Sequence, residues 1–115
     1  KQQSEENDFL QSVIQVIEAN LVDDKFNVKM LAEQLNMSQP TLYRRLKQVS
    51  KLNAIDMIRG VRMSKAASLL LEQRYSIQEI TERVGYSDIR TLRKHFTEQF
   101  GISPSKFLEE HEEKR

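Results

Sequence analysis

The chain has 115 residues, enough for one domain or two very small ones, and its 38% hydrophobic and 30% charged residues place it in the globular class. Three glycines and two prolines argue against a turn-rich β fold, and the absence of cysteine excludes disulfides and thiolate chemistry and points to a reducing compartment, read as the cytoplasm. The net charge of +1 is unevenly placed: residues 1–24 carry −5, residues 25–115 carry +6, and residues 39–51 hold four basic side chains and no acid, the kind of local stripe that attracts polyanions.

Residues 1–7 are polar and without periodicity, and read as a linker or frayed terminus. Asp8 is then placed to cap a first helix over residues 9–21, with Phe9, Leu10, Val13, Ile14, Ile17 and Leu21 at three- and four-residue spacing. Asn27 caps a second helix over residues 28–35, and Asn36 follows as a left-handed C-terminal residue. Ser38 caps a third, over residues 39–49, with Pro40 in the first turn and Leu42, Leu46 and Val49 turned inward. A long pattern over residues 53–73 predicts a fourth helix, with Ile55, Ile58, Met63, Ala66, Leu69 and Leu70 buried and Gly60 weakening it by roughly 1 kcal/mol relative to alanine. Ser76 and Glu79 form a capping box for a helix over residues 77–84, which Gly85 ends. Asp88 caps a helix to about Phe100, and Ser103-Pro104 starts a last one carrying Phe107 and Leu108 before a charged tail, residues 111–115. No apolar run of about 18 residues exists, so no membrane contact is expected of this segment. The fold class is all-α with seven helices.

Residues 28–57 and 77–107 repeat each other. Leu31, Glu33, Leu35 and Ser38 match Ile80, Glu82, Val84 and Ser87 at an offset of 49, and Leu42, Leu46 and Met57 match Leu92, Phe96 and Phe107 at an offset of 50. One inserted residue near the start of the second helix accounts for the change. Each copy reads as helix, short turn, helix, with a small residue, Ala32 or Thr81, where the helices cross. That is a helix-turn-helix pattern. The organisation is thus a first unit over residues 8–52, a connector over 53–73 and a second unit over 74–110. At 1.5 Å per residue the connector is roughly 30 Å long, close to the roughly 34 Å turn of B-DNA.

The stretches LAEQLNMSQPTLYRRLK, IRGVRMSKAASLLL, ITERVGYSD and FTEQFGISPSKF resemble the DNA-binding domain of AraC/XylS-type transcription regulators. The resemblance covers about residues 9–108, and its most specific parts are Gly85-Tyr86-Ser87-Asp88 and the run from Phe100 to Phe107. It implies sequence-specific binding of double-stranded DNA by a C-terminal output domain, with two recognition helices reading successive major-groove segments. The leading DFLQSVIQVIEANL is also similar to output domains of bacterial hybrid two-component sensors. RNA polymerase and a homodimeric partner are compatible with such a protein. The chain departs from the family at Lys51 and Ala54, where glycine and proline are common, and at Arg90-Thr91-Leu92, where Ser-Tyr-Phe is common.

With Leu42 and Leu46 inward, the third helix leaves Gln39, Pro40, Thr41, Tyr43, Arg44, Lys47 and Gln48 outward or sideways. The family pattern puts the base-reading positions at Pro40, Tyr43 and Arg44, and on the sixth helix at Ile89, Arg90, Arg93 and Lys94. Arg44 has the fork geometry for guanine O6 and N7, a contact worth about 1–3 kcal/mol of discrimination. Gln39, Thr41, Lys47, Arg59, Ser87 and Ser103 are the phosphate candidates, which place the domain and make its affinity salt-dependent.

A basic helix face is most often merely solvated, and the repeat together with the family pattern is what lifts Arg44 above that. Arg45 lies nearer the flank of the helix. Arg62 reads as structural or as functional with equal weight, the structural role being a tie to an acid such as Glu33. Phe96, Phe100 and Phe107 read as core rather than as stacking platforms. His95 and His111 lack companions for a metal site, and no catalytic constellation or cofactor motif is present, so no enzyme activity is expected. From the residues alone, a docking module for an acidic protein remains the alternative; a ligand site in the helical core is weaker.

Overall fold

Seven helices follow one another in the computed structural model, which describes residues 2–113: α1 (Gln2–Ala19), α2 (Val28–Gln34), α3 (Gln39–Val49), α4 (Ala54–Glu72), α5 (Ile77–Arg83), α6 (Ile89–Phe100) and α7 (Pro104–Glu113). No strand occurs among the described residues, and none of their helices is long and apolar enough to cross a membrane. The chain divides into two compact units. The first holds the residues up to Leu21 and Lys25–Val61, and the second holds Val22–Asp24 and the residues from Arg62 onward. The connector is therefore no separate piece: α4 gives its first eight residues to one unit and the rest to the other.

Side-chain caps set most helix starts. Asn27 accepts from the Met30 amide at 2.9 Å, Ser38 from Thr41 at 3.2 Å, Asn53 from Asp56 at 2.8 Å and Asp88 from Arg90 at 2.7 Å. Each satisfies an amide that has no partner inside the helix. At α5 the capping box is complete, with Ser76 Oγ accepting from the Glu79 amide and Glu79 Oε1 accepting from the Ser76 amide. The Ser76 amide that donates to its carboxylate, and next the Ser76 hydroxyl beside it, hold the Glu79 carboxyl below its ordinary value of 4.5.

The start of α1 differs from the expectation. The helix begins at Gln2, so Asp8 lies inside it and caps nothing; its carbonyl accepts from Ser12 Oγ at 3.0 Å. Nothing in residues 2–8 breaks a helix, and Glu5 in the first turn complements the helix dipole. The polar leader is therefore helical. At the other end α7 runs to Glu113, further than a short helix ending at residue 110.

In the first unit, Phe9, Val13 and Ile17 of α1 pack with Phe26, with Leu31 and Ala32 of α2, with Leu42 and Leu46 of α3, and with Met57 and Ile58 of α4. Asn20 and Gln34 exchange amide hydrogen bonds at 2.8 and 3.2 Å, fastening the end of α1 to α2. Among the residues predicted for the core, Leu10, Ile14, Val49 and Leu70 are half-buried and Ile55 is 59% exposed. It lies on the first turn of α4, short of the apolar stripe that Met57 and Ile58 carry inward.

The second unit buries Met63, Ala66, Leu69, Ile80, Val84, Leu92 and Phe96. Phe96 meets Phe100 and Phe107 with ring centroids 4.5 and 5.4 Å apart, an edge-on and tilted cluster that joins α6 to α7. Phe96 is core, as its spacing predicts, and Phe100 and Phe107 are half-buried against it. Arg62 is also buried, at 6% exposure. Its guanidinium donates to the backbone carbonyls of Val84 and Asp23. Burial pushes its ionisation downward, offset in part by Tyr86 and by Asp23 and Asp24.

Candidate nucleic-acid interface

The two copies of the repeat make the same turn. After α2, the Met37 amide donates to Ala32 O at 3.0 Å and the Asn36 amide to Glu33 O at 3.0 Å. After α5, Tyr86 donates to Thr81 O at 2.9 Å and Gly85 to Glu82 O at 3.1 Å. Both pairs are the Schellman closure of a helix, which needs a left-handed residue after the cap. Asn36 at φ 59° and Gly85 at φ 80° supply it. Ala32 and Thr81, 2% and 0% exposed, lie under the turns. The extra residue of the second copy falls in the turn itself: α3 is capped by Ser38, α6 by Asp88, and Ser87 stands before the cap.

Each turn hands the chain to an amphipathic helix with a fixed outward face. On α3, Leu42 and Leu46 are buried, and at 100° per residue Pro40, Arg44 and Lys47 stand on the opposite side, with Tyr43 on the flank. All four are exposed, Tyr43 by 55%. Gln39, Pro40, Tyr43 and Arg44 line one open groove of about 720 Å³ together with Val28 and the start of α4. Lys47 Nζ lies 4.9 Å from the centre of the Tyr43 ring, and Tyr43 holds the ammonium above its ordinary value of 10.5. This face is cationic at neutral pH.

On α6, Leu92 and Phe96 are buried, Arg90, Arg93 and Lys94 are exposed, and Ile89 is half-buried. Arg90 Nε sits 3.9 Å from Asp88 Oδ1, with 91% of the arginine side chain in solvent. An ion pair that open holds the arginine weakly. Tyr86 Oη hydrogen-bonds His95 Nδ1, which ties the turn to α6.

The phosphate candidates are more scattered. Thr41 is half-buried, and its hydroxyl accepts from Ser38 Oγ at 2.9 Å. Ser103 is exposed at the start of α7 and accepts from the Lys106 amide at 3.2 Å. Ser87 is exposed in its turn, and Arg59 is half-buried on α4. Arg59 does not line the α3 groove.

Arg45 has a different place from Arg44. Its guanidinium lies 4.1 Å over the Phe9 ring, so it packs on α1. Among the groove residues that carried no functional assignment are Asn53 and Ile55. The repeat contained a signal for both. At the offset of 50 they align with Ser103 and Ser105, polar residues at the matching helix start.

A family model described as a helix-turn-helix domain matches residues 31–110. Histidine kinase P4 of Formosa agariphila is 25% identical over 104 residues, covering 90% of this chain and 8% of that protein. The chain thus spans only a small part of the length of the curated relatives it matches. The C-terminal domain of AraT, a response regulator from Geobacillus stearothermophilus, superposes with a TM-score of 0.78 at 32% identity, covering 87% of this chain and 83% of that one. The DNA-binding domain of the global transcriptional factor AdpA, solved in complex with a target DNA, gives a TM-score of 0.80 at 28% identity, over 92% and 95% of the two chains. Two copies of one capped turn, each presenting a basic helix, agree with these likenesses, and the chain belongs to the AraC-type helix-turn-helix DNA-binding domains of transcription regulators.

Proposed function

We propose that the chain is the C-terminal output domain of a longer, cytoplasmic transcription regulator, and that α3 and α6 each read bases in a major-groove segment of one double-stranded site. The observation that carries this reading is the outward face of α3, where Pro40, Tyr43 and Arg44 stand together on the first turns of a capped, acid-free helix. The early positions of a recognition helix are the ones that reach base edges. Arg44 reads a guanine through O6 and N7, and Pro40 and Tyr43 supply apolar contact. On α6, Arg90, Arg93 and Lys94 read bases beside Ile89. Lys47, Gln39, Thr41, Arg59, Ser87 and Ser103 hold phosphates and set register. Each named side chain has a binding role, and none carries a chemical step.

The parent protein is proposed to be a two-component regulator of the hybrid-sensor kind, supported by the likeness to a histidine kinase and to a response-regulator domain. Contacts with RNA polymerase and a second copy belong to that larger protein.

A band-shift titration tests the DNA reading with a duplex pool randomised over one site, at two salt concentrations. One enriched motif is expected, with log K falling linearly against log salt. Equal affinity for enriched and random duplexes at moderate salt overturns it in favour of an acidic protein partner.

A further inference from the structure

Ile55 is a large apolar side chain on the first turn of α4, 59% exposed, where the sequence pattern predicts core. A single exposed isoleucine is ordinary. Ile55 is not single: with Val28, Pro40, Ala54 and Tyr43 it forms the apolar wall of the α3 groove, and the same wall continues past Gln39 toward Phe26 and Ile58. The charged side chains lining this surface are Arg44 and Lys29, both cations, and no acid lines it among the described residues. Its occupant therefore carries negative charge outside and an apolar group within reach of Ile55. The groove also shares Gln39, Pro40, Tyr43 and Arg44 with the reading face of α3. Whatever α3 faces covers Ile55 too.

We infer that Ile55 is a specificity-determining residue of the first unit, and that the wall it forms with Pro40 and Tyr43 receives the 5-methyl group of a pyrimidine in the major groove. The inference rests on the DNA reading above. The pyrimidine methyl is the apolar group that the major groove displays, and thymine and 5-methylcytosine both carry it. Asn53 anchors the arrangement by capping α4 at 2.8 Å, which fixes the turn on which Ile55 sits. The second unit has Ser105 at the matching position, so the methyl preference belongs to the first unit alone.

The test uses the duplex enriched by selection. Each thymine is replaced in turn by deoxyuridine, and the pyrimidine so identified is also offered as cytosine and as 5-methylcytosine. Wild-type protein is expected to lose about four-fold in affinity on T→U at one position, the worth of one buried methyl, and to gain by a similar factor from cytosine to 5-methylcytosine there. Ile55→Ser, at a position exposed enough to leave folding intact, is expected to bring both ratios close to one, and Ile55→Val to keep most of them. Indifference of the wild type to every T→U change overturns the inference while leaving DNA reading in place, as does an Ile55→Ser variant with unchanged ratios. Failure to enrich any motif overturns the DNA reading and this inference with it. Unchanged ratios accompanied by a dimer that Ile55→Ser dissolves assign the groove to a second copy of the chain, and also overturn it.

Discussion

Arg62 donates a hydrogen bond from its guanidinium to the carbonyl oxygen of Val84, the residue that closes α5. A second bond, 2.9 Å long, reaches the Asp23 carbonyl. The last carbonyls of a helix have no partner inside it, and the planar fork of arginine satisfies two acceptors at once, which a lysine ammonium does with less fixed geometry. Arg62 therefore holds together three parts of the second unit: the segment Val22–Asp24, the later part of α4, and the helix that precedes the second turn.

Arg62→Ala leaves those two carbonyls without that donor, at a cost of about 2–4 kcal/mol. Arg62→Lys recovers part of this. Urea denaturation measures the loss, and amide exchange locates it. Protection falls in α5 and α6 and persists in α2 and α3. A uniform loss of protection across both units contradicts this placement.

The two left-handed turn residues respond in opposite ways to substitution. Gly85 sits at φ 80°, where a side chain costs about 1–2 kcal/mol, so Gly85→Ala lowers the denaturation midpoint. Asn36 already bears that strain at φ 59°, and Asn36→Gly leaves stability unchanged or raises it by up to about 1 kcal/mol. A neutral Gly85→Ala shows that the second turn is not closed as described.

Arg44 and Arg45 are neighbours with separate surroundings, Arg44 on the groove and Arg45 over the Phe9 ring. Arg45→Ala removes a cation from the face of Phe9 and costs about 0.5–2 kcal/mol of stability. It leaves the selected DNA motif as it was. A motif altered by Arg45→Ala at any base position contradicts the division.

The capping box of α5 carries a pH dependence. Glu79 has its carboxyl lowered below 4.5 by the Ser76 hydrogen bonds. Its contribution is complete above the ordinary carboxylate value and is lost as pH falls through the lowered one. Wild type and Glu79→Gln therefore differ in stability by a constant amount at neutral pH, and the difference shrinks on acidification. Parallel pH profiles throughout contradict the assignment. The Ser76 amide shift, followed by NMR, titrates with the same midpoint as the Glu79 carboxyl.

Much of the fold is legible in the sequence because the helix starts carry distinctive chemistry. Asn27, Ser38, Ser76 and Asp88 are all short polar residues at the head of an apolar period, and each accepts the expected amide. The paired turns follow from the repeat, since Asn36 and Gly85 are the residue types that tolerate a left-handed backbone. Other features left weaker traces. The start of α1 has no apolar periodicity, so a polar helix and a linker look alike there. Arg62 bonds to backbone carbonyls, which have no sequence signature, whereas an acid such as Glu33 is the kind of partner a sequence displays. Ile55 has the composition of a core residue, and only its alignment with Ser105 marks it as a surface position. On the outward side of α3, the grouping of Pro40, Tyr43 and Arg44 was legible from helical spacing, whereas the contribution of α4 to the same groove depends on tertiary packing.

The central claim is that α3 reads bases through Arg44. Parallel selection from one randomised duplex pool, with wild-type protein and with Arg44→Ala, tests it most directly. The account predicts two motifs that agree everywhere except at one position, where the wild type requires guanine and the variant accepts any base, a loss of about 1–3 kcal/mol of discrimination. Identical motifs from the two proteins contradict it.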